Sequence, residues 1–180
     1  MMLKKIFVLT IFTVLLNGCT EEHSPKRKAE IIEKIGSAPD QVSWDIKVSF
    51  IDSSYLKAVL WAKKSRIYNE RAETLLDDSV RVEFISKETG ETETYLWADS
   101  ARVDDKTRDM LARGNVLVIN KKTNRRLVTK LLLWDNRNQK LYSNEYVKIN
   151  SPVERLEGWG FESDQNLNNY KIFKVSGVRK

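Results

Sequence analysis

The chain has 180 residues, with 31 basic against 25 acidic side chains, and it carries a single cysteine and a single histidine. Both of these, Cys19 and His23, precede the strand-like part, so the folded part cannot build a disulfide, a thiol nucleophile, a Cys/His zinc site or a Ser-His-Asp triad. Seven glycines and three prolines argue against a low-complexity chain, and the mild basic excess suits anionic headgroups or phosphates as readily as plain solvent.

The first predicted element is a signal. Lys4 and Lys5 precede a mostly apolar run from Ile6 to Leu16, and Leu16-Asn17-Gly18-Cys19 follows. A basic start, a short apolar core and a small residue before the cut describe a secretory signal. The apolar run is too short for a span of roughly 20 residues. A cysteine directly after the cut is where lipid is attached, so residues 1–18 are read as a lipoprotein signal peptide and Cys19 as the lipidation site. Without residues 1–18 the chain keeps 29 basic against 25 acidic residues, about +4. Residues 19–42 read as a polar linker containing Pro25, Pro39 and Lys26-Arg27-Lys28. Its stretch from Thr20 to Gln41 would reach about 75 Å fully extended and averages about 27 Å as a coil. Within it, Ala29 to Ile35 could form two helical turns with Ile31, Ile32 and Ile35 on one side.

From residue 43 to 178 the apolar period is two, which predicts one all-β domain. Trp44, Ile46, Val48 and Phe50 alternate with polar residues, as do Val80, Val82 and Phe84. Further strands are expected at residues 56–62, 95–103, 116–120, 127–134, 146–149 and 170–175. Glu88-Thr89-Gly90, Arg113-Gly114-Asn115 and Asp135-Asn136-Arg137-Asn138 read as turns. The acidic pairs Asp77-Asp78 and Asp104-Asp105 also fall between strand-like runs, where acidic residues make turns rather than catalytic sites. No cofactor, metal or nucleic-acid partner is expected, and the chain is not read as an enzyme.

The strands repeat. Leu60-Trp61-Ala62 returns 36 residues later as Leu96-Trp97-Ala98 and again 36 later near Leu132-Leu133-Trp134. The partner strands keep step as Val80 and Val82, Val116 and Val118, then Val147 and Ile149, the third unit being five residues shorter. One strand pair laid down about three times gives a stack with continuous sheets and open edges. Parity then gathers Leu60, Val80, Val82, Phe84, Leu96, Val116, Val118, Leu132, Trp134, Val147 and Ile149 onto one interior, joined by Ala62 and Ala98. Arg81, Glu83, Asp99, Asp135 and Lys148 face outward, with Trp97, Leu117, Ile119 and Leu133 as apolar exceptions.

Ala98-Asp99-Ser100-Ala101, Gly114-Asn115-Val116-Leu117-Val118, and Leu127-Val128-Thr129 with Leu133-Trp134-Asp135 resemble the OstA-like repeat of lipopolysaccharide export proteins. The ending, Leu156-Glu157-Gly158-Trp159-Gly160-Phe161-Glu162-Ser163-Asp164 followed by Tyr170-Lys171-Ile172 and Gly177, resembles the close of the LptC family, the membrane-anchored periplasmic component of the exporter. The resemblance implies a twisted, slot-like β-jellyroll, or β-taco, of repeated antiparallel strand pairs whose groove holds lipopolysaccharide acyl chains. It implies stacking by strand addition on the periplasmic domains of the inner-membrane ABC transporter at one end and on a soluble bridge protein of the LptA type at the other. Trp44, Ile46, Gly158, Gly160, Tyr170 and Ile172 are the candidates for those joints, and the inward parity set becomes the lipid path. Cys19 would replace the transmembrane helix that anchors many relatives, holding the chain on the periplasmic side of the inner membrane. Thr20 is not the aspartate that often retains lipoproteins there. The competing expectation is a structural or carbohydrate-binding β-sandwich lipoprotein with a filled core. Trp61, Trp97 and Trp159 are its sugar-stacking candidates. Lys121, Lys122, Arg125 and Arg126 surround a turn that could meet lipid phosphates.

Overall fold

A computed structural model describes residues 38–52 and 54–179. The signal, Cys19, most of the linker and the short helix expected at residues 29–35 lie outside the described residues. The described chain forms ten strands: β1 (Gln41–Asp52), β2 (Tyr55–Tyr68), β3 (Glu73–Ile85), β4 (Thr92–Ala98), β5 (Ser100–Asp104), β6 (Met110–Asn120), β7 (Arg126–Asp135), β8 (Lys140–Asn150), β9 (Arg155–Asp164) and β10 (Tyr170–Arg179). They join one antiparallel sheet in the order β1-β2-β3-β4-β6-β7-β8-β9-β10, with β5 pairing β3 and β6. The fold is the expected all-β jellyroll, and its two free edges are β1 and β10.

Most of the long strands are interrupted at the same level. β4 and β5 are one run broken at Asp99. The register slips between Ala62 and Lys64, Arg113 and Val116, Val128 and Leu133, and Ser143 and Tyr146. Positive φ at Asp45, Asp78, Ser79, Gly114, Asn115 and Gly160 marks the same line. Aligned irregularities from β1 to β9 bend these strands at one level, so the sheet folds along a seam into two wings. One wing holds the end of β1, the start of β2, the end of β3, β4, the end of β6 and the start of β7. The other holds the opposite halves together with β5.

The seam corrects three sequence expectations. Arg113-Gly114-Asn115 and Asp77-Asp78 are bulges inside β6 and β3 rather than turns between strands. Asp45, with φ of 50°, resets the alternation of β1, so Trp44 does not share a face with Ile46 and Phe50. Trp44 is 67% exposed, while Ile46 and Phe50 pack against the core. The repeat also runs differently in its third unit. Leu60 pairs with Val82, Leu96 with Val118 and Leu127 with Ile149, so both strands of the unit shift by 36 and then by 31 residues. The structural counterpart of Leu96 is therefore Leu127 and not Leu132. Leu132 and Trp134 reach the interior on the opposite wing, because the bulge near Lys130 flips which parity faces inward.

Candidate functional site

Cross-strand register builds two inward rails, apolar except for Ser65. On one wing Val48, Leu60, Val82, Leu96, Val118, Leu127, Ile149 and Leu156 follow one another from strand to strand. On the other, Ser65, Leu76, Ala101, Ala112 and Leu132 do the same. The rails face each other across one core. Phe50 and Phe84 meet the Trp134 ring edge-on at 6.3 and 5.2 Å between centroids, joining residues far apart on the two wings.

All eleven residues assigned to the interior from sequence lie in that core, with exposures from 0 to 2%. Parity missed Leu76, Met110, Ala112, Leu127, Leu141, Phe161 and Leu167, which are buried beside them. A repeat shift of 36 and then 31 links Leu76, Ala112 and Ser143, and that spacing was the available signal. Leu167 gave none, since it sits in a turn with φ of 55°. A recess of about 610 Å³ opens beneath β1, lined among others by Trp44, Ile46, Phe50, Leu60, Leu76 and Val103. Of the eleven predicted interior residues, only Leu60 reaches it.

Polar groups inside this core are placed by the bulges. Thr129 Oγ1 donates to Tyr146 O at 3.0 Å and Ser143 Oγ to Leu131 O at 2.7 Å, replacing the ladder that β7 and β8 lose between Val128 and Leu133. At the rim opposite the seam, Lys57 Nζ donates to Asn136 Oδ1 at 3.1 Å and lies 5.4 Å from the Trp134 ring centre. Burial pushes the Lys57 ammonium below the usual lysine range, with the charge of Asp52 opposing the shift.

The six joint candidates separate. Trp44 projects from edge strand β1, and Tyr170 and Ile172 on edge strand β10 turn inward to pack on the core. Burial, with a hydrogen bond to Glu154 and that residue's charge, pushes the Tyr170 phenol up to about 12. Gly158 and Gly160 lie one strand in from the edge, on β9. A Cβ at Gly158 would sit 2.2 Å from Lys174 O, so close approach of β10 explains this glycine. Trp61 and Trp97 share the outer face, with the Arg81 guanidinium between their strands and 4.2 Å from the Trp61 ring centre. Trp159 is remote from them, at the β9–β10 pair. Three of the four residues in the acidic pairs have structural partners. Asp77 binds Arg66 at 2.8 Å, Asp105 accepts from Thr74 at 2.9 Å, and Asp104 caps the following turn through the amides of Lys106 and Thr107. Those amides hold the Asp104 carboxyl below its ordinary range.

The described residues thus form a two-winged sheet with an apolar interior and two unpaired edge strands. The family model for lipopolysaccharide assembly, LptC-related, matches residues 6–178. The chain belongs to the LptC family. Comparison with curated proteins finds no match. Membership gives the chain a role in lipopolysaccharide transport, on the periplasmic side of the envelope and in association with the transport machinery. LptC-family proteins are transport components rather than a known enzyme family.

Proposed function

We propose that this protein receives lipopolysaccharide from the inner-membrane ABC exporter, holds its acyl chains between the two wings and passes it to a soluble bridge protein of the LptA type. The observation that carries this reading is the pair of inward rails, one apolar from Val48 on β1 to Leu156 on β9 and the other running from Ser65 on β2 to Leu132 on β7. Unpaired strand edges at β1 and β10 suit strand addition by neighbouring proteins. The joints are assigned to Trp44 and Ile46 at the β1 end, where the recess opens, and to Gly158, Gly160, Tyr170 and Ile172 at the β10 end. A lipid on Cys19 would tether residues 43–178 to the inner membrane through the polar linker, with residues 1–18 removed. One acyl chain binds a bilayer marginally and two or more bind it durably. Burying about six methylenes of a transported chain contributes roughly 5 kcal/mol before ordering costs. Such a hold is loose enough for lipid to be pushed onward by an ATPase across the membrane.

The near-complete burial of Val82, Val118 and Leu96 favours the second reading, a sandwich with a filled core. Photo-crosslinking in living cells separates the two. A crosslinking amino acid at Val82 or Val118 is expected to yield lipopolysaccharide adducts, while one at exposed Arg81 or Lys148 yields none. No adduct from either valine, in a folded and membrane-bound protein, would overturn the conduit in favour of the filled core.

A further inference from the structure

Beyond the recess under β1 the eleven predicted interior residues are packed to exposures of 0 to 2%, so an acyl chain that passes further in must find its volume by separating the wings. At the seam the wings are continuous backbone. At the opposite rim, no backbone hydrogen bond crosses from wing to wing among the described residues. Side chains do the closing there, and most of them converge on the turn of residues 165–169. Thr94 Oγ1 donates to Asn166 Oδ1 at 2.9 Å, Asn166 Nδ2 donates to Glu93 Oε2 at 3.1 Å, and Asn120 Nδ2 donates to Asn166 O at 2.6 Å. Arg125 donates from one guanidinium nitrogen to Leu167 O at 3.0 Å and Asn168 O at 3.2 Å. Leu167 itself is fully buried in the core as a wedge.

Two features suit this turn to move as a unit. Asp164 holds it internally, accepting from the amides of Asn166, Asn168 and Asn169 at 2.9 to 3.0 Å, so the turn keeps its shape without the far wing. The closed junction is also imperfect. Thr123 Oγ1 and Gln165 Oε1, one in each of the two turns that meet there, are buried without a hydrogen-bond partner, and both would gain water on opening.

We propose that residues 165–169 form a latch on the open side of the sheet, and that Arg125 exchanges its turn carbonyls for the anionic headgroup of an amphiphile whose chains enter between the wings. The proposal rests on the conduit reading. A ligand shifts a closed–open equilibrium only by binding one state better. An Arg–phosphate pair is shorter, stronger and often bidentate compared with an Arg–carbonyl bond. Lys121, Lys122 and Arg126 stand exposed on the same hairpin, so a phosphorylated headgroup left outside the slot meets four cations there.

The test uses the full lipoprotein, whose only natural cysteine is Cys19. In detergent and without lipid, a cysteine at Val118 reports opening by its rate of thiol labelling. Asn166→Ala is expected to raise that rate several-fold at temperatures far below unfolding, and an unchanged rate overturns the latch. In cells, cysteines at Thr94 and Asn166 joined by a cleavable bifunctional thiol reagent should abolish lipopolysaccharide photo-adducts at position 118, with recovery on cleavage. Full adduct yield from the joined form overturns entry by this rim. Arg125→Gln should speed the labelling yet lower the adduct yield several-fold, and an unchanged yield overturns the headgroup role. Absence of adducts in every form, wild type included, counts against the conduit, while the labelling rate still decides the latch.

Discussion

Gly114 shows how the seam is made at the level of single residues. Its φ is 72°, and a Cβ there would lie 2.3 Å from Asp99 Oδ2. Asp99 occupies that space because it ties three strands together: its amide donates to Gly114 O at 3.0 Å, its carbonyl accepts from Ser79 N at 3.1 Å, and its carboxylate accepts from Asn115 Nδ2 at 2.8 Å. Gly90 has nearly the same φ, 70°, but nothing within 4 Å of the position of a Cβ. Left-handed backbone costs a non-glycine residue about 1–3 kcal/mol, and only Gly114→Ala adds a clash. Gly114→Ala is therefore expected to lose at least ~1 kcal/mol more than Gly90→Ala by urea denaturation. Equal losses would remove Asp99 as the reason for glycine at 114. The pattern Asp99-Ser100 and Gly114-Asn115 was visible in the sequence. Its meaning as a bend was not, because aspartate, asparagine and glycine are also what ordinary turns use.

At the scale of the strand, alternation holds only between bulges. Leu127 and Val128 are adjacent in β7, yet one is fully buried and the other 43% exposed. Leu127→Ala should cost about 2–5 kcal/mol through lost burial and the cavity left behind, whereas Val128→Ala should stay within about 0.5 kcal/mol. Similar values for both in chemical denaturation would contradict the register of β7 against β6 and β8. Most strands were legible from period-two alternation, but β2 proved longer at its end, β3, β6 and β8 proved longer at their starts, and the run expected at 95–103 is split into β4 and β5. The 36-residue spacing was legible too. The third unit was misjudged because Leu132-Leu133-Trp134-Asp135 imitates Leu96-Trp97-Ala98-Asp99 in letters while sitting past the bulge, on the other wing. Lys130 and Asn144, which lie at the irregular steps of β7 and β8, are residue types found anywhere on a strand surface.

For the molecule as a whole, the proposed anchor makes a separable prediction. Cys19→Ser should move the protein from the membrane to the soluble periplasmic fraction and abolish labelling by radioactive fatty acid, while the melting temperature of the β-domain stays the same. A Cys19→Ser protein still retained on membranes after an alkaline wash would defeat anchoring by lipid. By itself the sequence determined the all-β class, the repeated strand pair, the buried identity of every predicted interior residue and the family, since alternation and repeat spacing are local properties that survive without knowledge of shape. Only the tertiary structure decided where the sheet bends, which wing each residue occupies and that the interior closes at a rim. Lys57 meets Asn136 across 79 residues and Thr94 meets Asn166 across 72. Such pairs depend on the summed bends and twists of every strand between them, and no local spacing carries that sum.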